Sequence, residues 1–229
     1  RVLQWLELWH QTEWPELKVF FNSVTDHWAT ITLSGPESRS LLAPLTDIDL
    51  SPTDFAFMDW RAGLVCGLPA RVFRISFTGE LTYEINVNAN DGLALWQALM
   101  AAGAEVDLTP YGTETMHVLR AEKGFVIVGQ DTDGSVTPED LGMGWAVAKR
   151  KKFSFVGQRG MMRADCLRGQ RKQFVGLSPL NPSCVLPEGS QIVFARPQSL
   201  PADMVGHVTS SYDSPVLGRS FALALVKGG

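Results

Sequence analysis

The clearest pattern in the chain is an alternation of apolar and polar residues on both sides of Gly79. A period of two residues is typical of a strand that buries one face. We therefore predict two strands joined by a tight turn at Gly79, together spanning Arg71 to Asn86. The apolar members of the alternation are Phe73, Ile75, Phe77, Leu81, Tyr83, Ile85 and Val87.

Other segments carry the signals of helices. The chain opens with an amphipathic pattern, and Ser34 to Glu37 has the spacing of a capping box with a proline near the first turn. Asp91 is predicted to cap a helix that ends at Gly103. A fourth helix is predicted from Thr113 to Gly124. The expected apolar face of the third helix is Leu93, Trp96, Leu99 and Met100.

The pattern of apolar residues changes from about Arg168 onward, where short apolar runs are separated by proline and glycine. Such spacing is typical of a small β-barrel or sandwich. We predict an α+β fold with antiparallel sheets and covering helices over residues 1–167, followed by a small C-terminal β-barrel over 168–229. Because both ends interrupt a pattern, we expect the first domain to lack N-terminal residues and the barrel to be truncated. The strand-like runs are 174–177, 191–194, 204–208 and 221–226.

Composition narrows the class of protein. The chain has 229 residues, 45% of them hydrophobic, and a formal net charge of -4. No basic surface for nucleic acid is expected, and the basic run 149–152 is interpreted as a solvated loop. No apolar run approaches the roughly 20 residues of a membrane span. The three cysteines are far apart and are expected to be reduced, which favours a cytoplasmic protein.

The sequence gives no support for a metal or nucleotide site. Residues 131–135 resemble the start of a calcium loop, but the twelfth position is Gly142 instead of glutamate. His117 has no second ligand at metal spacing. There is no phosphate-binding loop, and Gly142 and Gly144 lack the third glycine of a dinucleotide fingerprint.

Glu84 is the candidate binding residue, because it lies in the middle of a predicted strand. Glutamate is a poor strand former and usually needs a partner there. A carboxylate held on a strand can accept two parallel hydrogen bonds from a planar donor pair, such as the edge of a pterin ring. A solvent-facing polar stripe would give the same pattern, so both interpretations stay open.

The segment FTGELTYEI, residues 77–85, resembles the signature hairpin of the aminomethyltransferase superfamily. This superfamily contains glycine cleavage T-proteins and the folate domains of dimethylglycine dehydrogenases and heterotetrameric sarcosine oxidases. The resemblance implies that Glu84 binds the pterin of tetrahydrofolate and that Phe77 packs on its ring in place of a tyrosine. It also implies a ligand contact for Asn86. Residues 205–215 resemble the GxVTSxxxSP signature of the C-terminal barrel in this superfamily.

Within the superfamily, residues 111–114, 119–124 and 129–134 are similar to the alpha subunits of heterotetrameric sarcosine oxidases. T-proteins carry an arginine for the folate tail where this chain has Met116, so that contact is not expected here. Arg120, one turn further on, is expected to be structural. The resemblance implies that the catalytic aspartate lies upstream of Arg1, so no catalytic residue is expected in this chain.

The implied function is capture of a one-carbon unit as 5,10-methylenetetrahydrofolate. The resemblance implies that a flavin (FMN or FAD) in the beta subunit oxidises sarcosine, which is a small-molecule amine. NAD binds an upstream region of the alpha subunit. Flavin and NAD would therefore lie outside this chain, and the expected partners are the beta and the smaller subunits of a heterotetramer. Two alternatives remain open: a T-protein-like aminomethyltransferase that acts with a lipoyl carrier, and a non-catalytic scaffold.

Overall fold

The chain forms two structural units, which are described separately. The computed structural model describes residues 1–196 and 199–229. The first unit comprises residues 1–76 and 80–110, and the second comprises 77–79 and 111–229. Both contain helices and an antiparallel four-stranded sheet, so the predicted α+β class is confirmed. The predicted domain boundary at 167/168 stays a prediction.

The first unit is built on a sheet with the strand order β1-β4-β3-β2. Because β4 pairs with β1 on one side and β3 on the other, it is an interior strand of this sheet. The strands are β1 (Trp28–Ser34), β2 (Trp60–Val65), β3 (Leu68–Phe73) and β4 (Thr82–Asn88). The helices are α1 (Val2–Thr12), α2 (Ser38–Leu42) and α3 (Gly92–Ala102).

One face of this sheet forms the hydrophobic core of the unit. Tyr83, Ile85 and Val87 alternate along β4 and are completely buried, as the pattern predicted. Helix α3 contributes Leu95 and Leu99 to the same core. The apolar face predicted for α3 was therefore wrong in part, because Leu93 and Trp96 are exposed to solvent. The periodicity located the helix, but its rotation depends on how it packs against the sheet.

The connection between β3 and β4 differs from the predicted tight turn. Strand β3 ends at Phe73, which lies opposite Glu84, and residues 74–81 form an irregular connection. The backbone amide of Arg74 still donates to the carbonyl of Asp59, next to β2, at 2.9 Å, whereas the pairing of β3 with β4 ends at Phe73. Because directly paired residues of neighbouring strands lie on the same face, Phe73 shares a face with Glu84, while its neighbour Val72 is buried.

The predicted capping box is also absent from the described residues. The Ser34 hydroxyl lies 2.8 Å from that of Thr82 on β4. The carboxylate of Glu37 accepts a hydrogen bond from Ser40 at 2.7 Å. Because Ser34 ends β1, its side chain faces the neighbouring strand, and helix α2 begins only at Ser38.

The second unit contains a sheet with the strand order β5-β8-β7-β6. Each of the four predicted C-terminal runs overlaps one of its strands. Within the described residues, no helix is both long and apolar enough to cross a bilayer. The elements are α4 (Thr113–Glu122), α5 (Gln158–Met161), β5 (Lys172–Leu177), β6 (Gln191–Ile192), β7 (Gly206–Ser214) and β8 (Arg219–Lys227).

Candidate functional site

The face of the first sheet opposite its core carries polar and aromatic side chains, and we call it the polar face. Alternation on β4 directs Glu84 and Asn86 to this side, because Tyr83 and Ile85 occupy the core. Strand register then sets the cross-strand neighbours of each residue. One row across the sheet is Thr32, Glu84, Phe73 and Trp60, and the next row is Thr30, Asn86, Arg71 and Ala62.

Glu84 lies half-buried near the centre of the polar face, between Thr32 and Phe73. Burial raises the pKa of its carboxyl, and no cation or hydrogen bond counteracts that effect. Among residues 1–196 and 199–229, no group forms an ion pair or hydrogen bond with this carboxylate. Glu84 therefore has acceptor capacity for a ligand at a position that water solvates only in part.

An aromatic pair lies beside Glu84 and was not predicted. Trp60 and Phe73 stack with their ring centroids 6.0 Å apart and their planes at 23°. Trp60 is 53% exposed, so the pair offers an apolar surface next to the carboxylate. The alternation put Phe73 on the core side with Ile75 and Phe77, but the buried residues of β3 are Ala70 and Val72.

Asn86 is held in the neighbouring row. The hydroxyl of Thr30 donates to Asn86 Oδ1 at 2.5 Å, which leaves the amide nitrogen without a hydrogen-bond partner among the described residues. Arg71, opposite Asn86, places its guanidinium carbon 4.4 Å from the centroid of the Trp28 ring. The polar face thus combines an acceptor, a donor and aromatic rings, which suits a planar heterocycle with polar edges.

The three predicted site residues do not all belong to one unit. Glu84 and Asn86 lie on the polar face of the first unit. Phe77 belongs to the second unit and is 38% exposed. Its predicted packing on a pterin ring stays a prediction, as do the ligand contacts of Glu84 and Asn86.

Arg120 is completely buried within the second unit, where it forms an ion pair with Asp131. Its guanidinium donates to Asp131 Oδ2 at 2.5 Å, to Ser210 Oγ at 2.7 Å and to the carbonyl of Phe125 at 3.0 Å. These contacts connect α4 to the following turn and to β7. A guanidinium used in this way is not available to a folate tail, which supports the structural role expected for Arg120.

Two residues of the barrel signature contact the same ion pair. Thr209 and Ser210 each donate a hydroxyl hydrogen bond to Asp131 Oδ1 at 2.6 Å. At Gly206, a Cβ atom would collide with the backbone carbonyl of Leu225 on β8. Sequence reasoning interpreted Asp131 only as part of a turn, because its partners are remote in the chain and leave no local signal.

Two family models match the chain, and a solved structure is similar to it in fold. Residues 1–151 match the family model of the GCVT N-terminal domain. Residues 172–229 match the model of the glycine cleavage T-protein C-terminal barrel domain. The aminomethyltransferase T of the glycine cleavage system from Bartonella henselae is similar in fold over 87% of this chain and 52% of its own, with a TM-score of 0.70 and 24% identity.

Two curated relatives show the extent of the similarity. The chain is 53% identical to the sarcosine oxidase subunit alpha of Corynebacterium sp. (strain P-1), over 100% of this chain and 24% of that subunit. It is 36% identical to the aminomethyltransferase of Streptomyces avermitilis, over 88% of this chain and 52% of that protein. The chain thus spans about a quarter of the length of the first relative.

Proposed function

Because the chain belongs to the glycine cleavage T-protein family, we propose that the polar face of its first sheet binds the pterin ring of tetrahydrofolate. Glu84 accepts two hydrogen bonds from the amino group and the ring N–H on one edge of the pterin. Asn86 donates or accepts at a second ring atom.

The observation that supports this proposal is the half-buried, unpaired carboxylate of Glu84 near the centre of the polar face. Leaving such a group without a partner costs free energy, and a planar pair of donors would satisfy it. Hydrogen bonds to a carboxylate are stronger than bonds between neutral groups, and a parallel pair also fixes the orientation of the ring.

We further propose that the chain is the folate part of a sarcosine oxidase alpha subunit. Its task is to hold tetrahydrofolate so that the one-carbon unit released by oxidation of sarcosine is captured as 5,10-methylenetetrahydrofolate. Holding the acceptor in place can lower the barrier by up to roughly 7–11 kcal/mol. Flavin and NAD act elsewhere in the proposed cytoplasmic heterotetramer, whose other members are the beta and smaller subunits.

Calorimetry with tetrahydrofolate on the complete native protein tests the assignment of Glu84. Glu84→Gln keeps the shape of the side chain but removes its charge, and we expect a loss of about 1.5–3 kcal/mol in binding free energy. This loss corresponds to a roughly 10- to 150-fold weaker Kd. Glu105→Gln makes the same change of charge at an exposed position outside the polar face and serves as the control. Equal affinities for Glu84→Gln and the unmodified protein would refute the assignment.

A second candidate function is aminomethyl transfer to tetrahydrofolate with a lipoyl carrier protein. The similarity to the Streptomyces aminomethyltransferase favours it, and Met116 at the position of the folate-tail arginine disfavours it. The two are separated by measuring formation of methylenetetrahydrofolate from sarcosine and from an aminomethylated lipoyl protein. Absence of folate binding by the complete protein would instead support the scaffold hypothesis.

A further inference from the structure

A cavity of about 390 Å³ lies in the second unit, against one face of its sheet, and we call it the lysine pocket. Residues from 133–140 and 165–171 line one part of it, and residues of β5, β7 and β8 form its floor. The residues of the sheet that line it are Lys172, His207, Leu225 and Lys227. Register places these residues on the same face, since Leu225 lies opposite His207 and two residues before Lys227.

The floor of the lysine pocket contains two like charges directly opposite each other. Lys172 on β5 is the register partner of Lys227 on β8. Such a pair has Cβ atoms roughly 4.5–5.5 Å apart, and like charges in this arrangement are destabilising. Among the described residues, no carboxylate lies within ion-pairing distance of either ammonium group, so their charge is available to a ligand.

The other cations of the lysine pocket are already paired. Arg171 bonds Asp140 at 2.6 Å and Asp165 at 2.9 Å. Arg168 also contacts Asp165, at 3.3 Å. These pairs neutralise two of the carboxylates and leave the lysines as the unpaired positive groups.

The remaining carboxylate does not cancel this charge. Asp133 accepts hydrogen bonds from the hydroxyl and the backbone amide of Ser135, at 2.6 Å and 2.8 Å. These bonds lower its pKa, with smaller contributions from the charges of His207 and Lys172. Asp133 is therefore anionic and attracts Lys172, but the four arginine and lysine side chains of the lining outnumber its three carboxylates.

We propose that the lysine pocket binds a compact oxyanion of charge about −2, such as a phosphate group or a dicarboxylate, between Lys172 and Lys227. Lysine ammonium groups bind phosphate and carboxylate as point charges, and an anion between them removes their repulsion. His207 on β7 also lines the pocket and can supply a hydrogen-bond donor. This site lies within the second unit and does not depend on the proposed folate site.

Calorimetric titration of the complete native protein with inorganic phosphate tests this proposal. Ionic strength is held constant with potassium chloride, because screening alone would relieve repulsion between the lysines. We expect one saturable site that is lost or at least tenfold weaker in Lys227→Gln and retained in Lys227→Arg. The matched control is Lys152→Gln, which removes an exposed lysine outside the pocket and should change affinity less than twofold.

Hydrogen exchange with and without phosphate locates the site in the chain. The peptides of β5 and β8 should gain protection in the unmodified protein and not in Lys227→Gln. A parallel titration with succinate identifies the ligand class: tighter binding of phosphate indicates a phosphate site, and tighter binding of succinate a dicarboxylate site. Either no binding beyond that of chloride, or equal losses in Lys227→Gln and Lys152→Gln, would overturn the proposal.

Discussion

Substituting Asp131 with asparagine tests whether the buried ion pair with Arg120 holds the second unit together. Asparagine has nearly the same shape, so the change removes the charge without creating a large cavity. It leaves the guanidinium of Arg120, which is 0% exposed, without its counterion. Removing one partner of a buried pair costs about 3–5 kcal/mol.

The hydrogen bonds around Asp131 support this magnitude. The carboxylate accepts from Arg120, Thr209, Ser210 and the backbone amide of Ile127. An asparagine amide would present N–H groups to some of these donors, which leaves buried donors unsatisfied at about 1–3 kcal/mol each. Since Arg120 Nε has no hydrogen-bond partner among the described residues, the guanidinium has little to compensate for the loss.

Hydrogen exchange measures the effect within the complete protein. We expect Asp131→Asn to lower the protection of the β7 amides by about two to nearly four orders of magnitude. Glu139→Gln breaks an exposed ion pair with Lys149 in the same unit and should cost about 1 kcal/mol or less. If Asp131→Asn changes protection no more than Glu139→Gln does, the buried ion pair does not stabilise this unit.

Three further predictions concern other parts of the chain. Burial raises the pKa of Glu84 above 4.5, so the unliganded protein should lose stability as the pH rises through the folded-state pKa. In urea unfolding between about pH 4 and about pH 8, Glu84→Gln should remove this part of the pH dependence. Despite burial, the pKa of Asp140 is lowered by hydrogen bonds from Arg171 and Thr137, so its contribution is present above pH 3.8 and is lost as the pH falls through the folded-state pKa. Arg171→Met should therefore cost about 3 kcal/mol at neutral pH and reduce the loss in acid, and an unchanged acid transition would contradict this. Gly206→Ala should destabilise β7 by about 1–3 kcal/mol, whereas Gly176→Ala, where a Cβ meets open space, should have little effect on the melting temperature.

Prediction from sequence succeeded where the information is local. The period of two on β4 correctly assigned Tyr83 and Ile85 to the core and Glu84 to the opposite face. The pattern from Thr113 gave the position of α4, which ends at Glu122, within the predicted segment. Short-range periodicity is sufficient for such assignments, because side-chain direction alternates along a strand and repeats every 3.6 residues along a helix.

Prediction was weaker where the pairing of strands decides the result. The alternation before Gly79 continues to Phe77, yet β3 ends at Phe73 and residues 74–81 form an irregular connection. A one-residue difference in pairing moves a side chain to the other face of a sheet. Only the pairing of β3 with β4 shows that Phe73 lies on the polar face, opposite Glu84.

The sequence by itself determined the fold class, the family and the carboxylate of Glu84 as the candidate ligand of a pterin ring. Only the tertiary structure decided which side chains surround that carboxylate, and that Arg120, Asp131 and the hydroxyls of the barrel signature form one buried cluster. The physical reason is that strand register and buried ion pairs join residues far apart in the chain. Asp131 and Thr209, for example, are 78 residues apart and meet only after the sheet has formed.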